Sequence, residues 1–136
     1  MAQKLTSNLI AIAEYVIQAK DDKMSVLGIF DNVSGPQYPA TQLKMSLAVT
    51  FLGEPGTTQK VQLRVLGPNN KEVLAVPRTF NVSKNGRANV VINFEGFTFE
   101  GPGQYKFVFE QNGAEIVSYV LDALLTKDQQ NAQSKK

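Results

Sequence analysis

Apolar residues recur at every second position along most of this chain, a period that suits extended strands and excludes helices of any length. Leu43, Met45, Leu47, Val49 and Phe51 alternate with Lys44, Ser46, Ala48, Thr50 and Leu52. Val61, Leu63 and Val65 alternate with Gln62 and Arg64, and Ala88, Val90, Ile92 and Phe94 share one parity. Tyr105, Phe107 and Phe109 do the same, followed by Val117, Tyr119, Leu121 and Ala123. Successive side chains of a strand point to opposite faces, so each run reads as a strand with one side in a core. No segment repeats at helical spacing over more than a turn. The prediction is an all-β chain, an antiparallel two-sheet β-sandwich of about 8–9 strands.

Turn chemistry divides the runs. SGPQYPATQ after Val33 cannot pair regularly, because Pro36 and Pro39 fix φ and lack a donor. GPNNK joins Val61–Val65 to Glu72–Val76 as a hairpin, and Pro77 either ends that second strand or sends it to a sheet edge. Asn85-Gly86 suits the positive φ of a type I′ turn, and an Asn112-Gly113 turn reverses the chain ahead of the last strand. The Tyr105, Phe107 and Phe109 stripe is a core face, since strict period two beside glycine turns is the pattern of a packed strand.

One stretch departs from the simple pattern. AEYVIQAKDDKMSVLGIFDNV, Ala13 to Val33, reads as two strands joined by the polar turn Asp21-Asp22-Lys23. In the second strand Leu27, Ile29 and Val33 point one way while Met24, Val26 and Phe30 point the other, so both faces are apolar. Ile10 and Ile12 likewise oppose Tyr15 and Ile17 in the first strand. Such strands are covered on both sides, by a second sheet or by another subunit. The expected interface residues are Ile10, Ile12, Met24, Val26, Phe30 and Tyr38. Tyr38 is read either as an anchor for a partner or as a ring folded on the rim of the core.

Absences exclude most chemistry. The chain has no cysteine, which removes disulfides, thiolate nucleophiles and cysteine-bound metals. It has no histidine, the commonest general base near neutral pH and the commonest transition-metal ligand. Asp21, Asp22, Asp31 and Asn32 form the one local acidic cluster, too few oxygens for calcium's six to eight, and turn chemistry explains them. GEPGT and GPGQY lack the Lys-Ser/Thr pair of a phosphate loop. A net charge of +2 gives no basis for nucleic-acid binding, and no run approaches the ~20 apolar residues of a membrane helix. Accordingly no enzyme, cofactor, metal, nucleic-acid or membrane role is expected, and cytoplasmic is the default location in the absence of a signal segment. At 136 residues the chain reads as one domain, 9–125, with a flexible arm at 1–8 and a polar tail at 126–136.

The opening A-E-Y-V-I, then D-D-K-M-S-V-L-G-I-F-D-N-V and P-Q-Y-P-A, resembles a family of small uncharacterised bacterial proteins classed as a domain of unknown function. The closing F-x-x-x-G-x-Y-x-F, Phe99 to Phe107, with its following N-G turn, resembles that family and immunoglobulin-like sandwiches in general. The resemblance implies an immunoglobulin-like or jelly-roll-like β-sandwich without catalytic residues. The functional expectation is a non-enzymatic structural or interaction module that self-associates as a homo-oligomer or docks on a protein partner. The alternative is a small-ligand or carbohydrate-binding sandwich using loop aromatics such as Tyr38 and Phe97.

Overall fold

The computed structural model describes residues 4–21 and 23–126. Eleven strands form among them, two or three more than the sequence pattern suggests: β1 (Thr6–Gln18), β2 (Met24–Ile29), β3 (Asn32–Gly35), β4 (Ala40–Gln42), β5 (Met45–Leu52), β6 (Thr58–Leu66), β7 (Glu72–Asn81), β8 (Arg87–Phe94), β9 (Phe97–Phe99), β10 (Gly103–Gln111) and β11 (Ala114–Leu125). The surplus comes from β3, β4 and β9, three or four residues each, too short for an alternation to register. The chain is ordered earlier than residue 9: β1 starts at Thr6 and Leu5 is 2% exposed, so residues 5–8 belong to the sandwich and not to an arm. The ends of the expected arm and tail, 1–3 and 127–136, lie outside the described residues, as does Asp22.

Two sheets face each other, in the orders β2-β1-β5-β8 and β3-β11-β10-β6-β7, and β4 pairs with β9. All neighbours are antiparallel except β3 and β11, which run parallel with Asn32 opposite Asp122 and Gly35 opposite Leu125. The early chain therefore serves both sheets, crossing from one to the other at Phe30–Asp31. Setting the short strands and β2 aside, β1-β5-β8 facing β11-β10-β6-β7 is the strand order of an immunoglobulin-like sandwich. The tyrosine corner of that fold is present as well. Tyr105, near the start of β10, donates its hydroxyl to the Gly101 carbonyl at 2.8 Å.

Rings fill the centre where antibody domains have a disulfide. Phe107, two residues after the corner tyrosine, is 0% exposed and packs 5.5 Å from Phe97. Phe51 stacks on Phe80 at 4.9 Å and meets Phe109 edge-on at 5.3 Å. The aromatic stripe of β10 is thus core. β7 carries Pro77 within it and lies at a sheet edge, where a missing donor costs no ladder bond.

The type I′ geometry expected at Asn85-Gly86 is not found there but at the other Asn-Gly turn. Asn112 and Gly113 both have positive φ (52° and 81°), as type I′ requires. At Ser83–Arg87 Gly86 alone is positive, at 77°, and the Ser83 amide donates to the Arg87 carbonyl. That is a three-residue loop ending in a left-handed glycine, which the dipeptide by itself does not distinguish.

Candidate interaction surface

The β1–β2 hairpin keeps Tyr15 opposite Leu27, Val16 opposite Val26 and Gln18 opposite Met24. Directly opposed residues share a face, so the parity rule sorts the hairpin into two rows. Tyr15, Ile17, Leu27 and Ile29 form one row and are 48%, 56%, 51% and 62% exposed. Val16, Met24 and Val26 form the other and are half-buried.

The two apolar faces are real, but the exposed one is the opposite of the set expected from sequence. Ile12 is fully buried in the core, and Ile10, Phe30 and Tyr38 pack against it. Met24 and Val26 are on the half-buried row. Parity alone does not say which row turns inward. That is decided at Phe30–Asp31, where the chain crosses over and takes the even-numbered side with it: the Phe30 amide donates to the Ile12 carbonyl at 2.9 Å, and the Asp122 amide to the Asp31 carbonyl at 2.9 Å. The readable sign was Tyr15 and Ile17 beside an otherwise complete core.

Two tyrosines fasten this crossover. Tyr119 on β11 donates its hydroxyl to the Phe30 carbonyl at 2.8 Å, and Tyr38 donates to the Leu124 carbonyl at 2.6 Å. Burial, reinforced by Asp31, pushes the Tyr119 phenol above its ordinary pKa; burial, with Tyr105 nearby, does the same to Tyr38. Tyr38 is therefore the rim ring of the two readings given above. Phe97 is 5% exposed among Phe94, Phe99 and Phe107. Phe97 therefore presents no open face on which a sugar would stack.

The hairpin does not continue straight off the sheet. Ala13 pairs with Ser46, and Ser46 with Asn93, so a straight ribbon would carry Gln18 away from Asn89, which lies opposite Thr50 farther down the strands. Instead Gln18, Asp21 and Lys23 line a cavity of about 720 Å³ together with Asn81, Arg87 and Asn89. The ribbon bends back over the outer face of its own sheet. That face is built of Ala11, Ala13, Ser46, Ala48 and Thr50, all 6% exposed or less, and such small side chains leave room for a covering strand pair. Ser46 and Thr50 donate to the Asn93 and Asn89 side chains at 2.6 and 2.8 Å, which satisfies the hydroxyls.

The outer face of the other sheet has a different character. Arg64 binds Glu72 at 2.9 Å and Glu110 at 3.2 Å, and Lys106 binds Glu115 at 2.8 Å. The carboxylates, Glu72 first, hold the Arg64 guanidinium above its ordinary pKa. Near the apolar row, among the described residues, the cationic contact is Lys44, whose ammonium lies 5.2 Å from the centre of the Tyr15 ring. Among the described residues no cluster of three acidic side chains is placed to hold a metal ion. Nor is any described helix long and apolar enough to cross a membrane.

Over residues 8–123 the chain matches the model of a family described as "Family of unknown function (DUF6941)". No curated protein matches it. Among solved structures, a β-glucosidase from Listeria innocua in complex with glucose superposes with a TM-score of 0.52 at 6% identity, over 90% of this chain. The chain spans 16% of that enzyme's length, and the likeness is one of fold. An immunoglobulin-like protein from Pseudomonas aeruginosa aligns at a TM-score of 0.48 and 10% identity, covering 89% of this chain and 97% of its own. An alkylpurine DNA glycosylase from Pseudomonas fluorescens, bound to DNA containing an abasic site analog, aligns at 0.47 and 11%, covering 85% and 30%.

Proposed function

The chain belongs to the family of unknown function DUF6941, and we propose that it acts as a non-enzymatic interaction module whose β1–β2 hairpin presents an apolar row to a protein. One observation carries the reading. Tyr15, Ile17, Leu27 and Ile29 stand side by side in solvent on an element that already has its other face against the molecule. Contiguous exposed apolar residues rimmed by polar ones mark contact sites more often than scattered single ones do. The rim is supplied by Glu14, Lys20, Asp21, Lys23 and Lys44, all exposed.

The test compares wild type with the double substitution Ile17→Lys and Ile29→Lys. Both positions are more than half exposed, so the variant keeps its fold by circular dichroism. The wild type should exceed its 14.9 kDa monomer mass as concentration rises and should bind a hydrophobic dye. The variant should do neither. A wild type that stays monomeric and binds no more dye than the variant refutes the reading.

A further inference from the structure

The loop between β7 and β8 and the tip of the β1–β2 hairpin border the cavity of about 720 Å³ described above. Its volume is that of a small-molecule site, and none of the four residues of the exposed apolar row lines it. Its walls offer chiefly hydrogen-bond donors. The Asn81 carboxamide oxygen accepts from the Thr58 hydroxyl at 2.8 Å, and the Asn85 oxygen accepts from the Ser83 hydroxyl. Both amides are thereby held the same way round, with the oxygen engaged and the Nδ2–H groups left to bind.

The cations agree with the amides. Arg64 is held by two carboxylates and Arg78 by the Pro77 carbonyl, whereas among the described residues the Arg87 guanidinium has no partner. Lys84, on the same loop, has no ion pair among the described residues. Lys23 also lines the cavity, but Asp21 beside it lies 3.5 Å from its ammonium, so those two charges offset each other. Lys84 and Arg87 are left uncompensated. The loop that carries them is closed by its own backbone: the Ser83 amide donates to the Arg87 carbonyl at 2.9 Å and the Gly86 amide to the Ser83 carbonyl at 3.0 Å. A loop ordered before binding loses less entropy when a ligand arrives.

We propose that this cavity binds a small phosphate monoester, with Arg87 and Lys84 on the phosphoryl oxygens and the Asn81 and Asn85 amides completing their hydrogen bonds. The guanidinium fork matches phosphate geometry. Two cations and two amides supply more donors than a carboxylate's pair of oxygens can use, while a phosphate monoester brings three terminal oxygens and a charge of about −1.5 to −2 at pH 7. The cavity also has room for the organic body of such a ligand. Phe80, whose ring stacks on Phe51 at 4.9 Å, supplies an apolar wall for it.

The test is an NMR titration of the full chain at low salt, following backbone amide signals. Glycerol phosphate and phenyl phosphate are the probes and glycerol is the neutral control. At least one phosphate ester should give saturable shifts at Asn81, Asn85 and Arg87, and glycerol should give none. Arg87→Gln should weaken binding by about tenfold, the scale of one lost hydrogen-bonded contact to a charged group. Arg78→Gln, the same change of charge outside the cavity, should leave it within about twofold, because solvent screens a distant exposed charge. Both side chains are exposed, so both variants should keep the wild-type circular dichroism. Shifts that fail to saturate with either ester, saturable binding of glycerol, or an Arg78→Gln loss equal to that of Arg87→Gln overturns the proposal. A phosphoserine peptide that binds the same residues at least about tenfold tighter than both esters overturns the small-molecule occupant in favour of a protein one. None of these outcomes touches the interaction reading, which dye binding and mass decide separately.

Discussion

Replacing Tyr119 by phenylalanine removes one hydroxyl from the crossover that fixes the hairpin against β11. The bond lost is 2.8 Å long, to the carbonyl of Phe30. A neutral hydrogen bond contributes about 1 kcal/mol net, and leaving a half-buried carbonyl without its donor adds to that. The cost near neutral pH is therefore about 1–2 kcal/mol. With a urea m-value of about 2 kcal/mol/M, the unfolding midpoint falls by roughly 0.5–1 M. The pH dependence is the sharper check. The folded Tyr119 phenol has its pKa raised above the unfolded value of about 10, mainly by burial and secondarily by Asp31. The neutral form is thus favoured by folding, and its contribution is complete below about pH 10. It is lost as pH rises through the folded pKa, because the unfolded chain ionises first and draws the equilibrium towards it. Urea titrations of wild type and Tyr119→Phe, followed by circular dichroism since the chain has no tryptophan, should give a gap that is constant from pH 7 to 9 and narrows above 10. Lysines titrate in the same range but are common to both proteins, so they cancel in the difference. A gap that stays constant or widens above pH 10 refutes the assignment of that hydroxyl to a buried, donating role.

Gly113→Ala should cost about 1 kcal/mol, because φ of 81° penalises a side chain although no atom lies within 4 Å of the added Cβ. Gly103→Ala should cost clearly more in the same thermal melt, since its φ is 135° and the Cβ would stand 2.7 Å from Pro68 Cγ. Arg64→Gln should lower the melting temperature slightly at low salt, as expected for partly exposed ion pairs. Most of that difference should vanish in about 1 M NaCl, where the Debye length is about 3 Å.

The strands that period two made legible are those whose two rows differ in size or polarity: β5, β6, β8, β10 and β11 were all visible as alternations, and the β6–β7 and β10–β11 hairpins could be read from their turns. The pattern failed where a strand is too short to alternate or is apolar on both sides. Ala40–Gln42 and Phe97–Phe99 pair with each other across 57 residues of sequence, a long-range event with no local signature. In the hairpin, alternation correctly separated Tyr15, Ile17, Leu27 and Ile29 from Ile12, Val26 and Phe30. Which set turned inward depended on a chain crossing fixed by hydrogen bonds to β11, some 90 residues away. The small outer side chains of β5 carried information too. Ser46, Ala48 and Thr50 read as an ordinary solvated row, yet their size is what lets the ribbon lie across them.

The parallel pairing of β3 with β11 sets a timetable for synthesis. β3 and the residues that receive it are separated by most of the chain, Asn32 from Asp122 and Gly35 from Leu125. At about 5–20 residues per second, translation delivers β11 roughly 5–20 s after β3. Over that interval the hairpin has been made, but Tyr119 and Leu124, which fasten the crossover behind it, have not. A nascent chain halted before residue 114 would present both rows of the hairpin to its surroundings, so a chaperone that recognises apolar extended segments has its substrate during elongation and loses it when β11 closes.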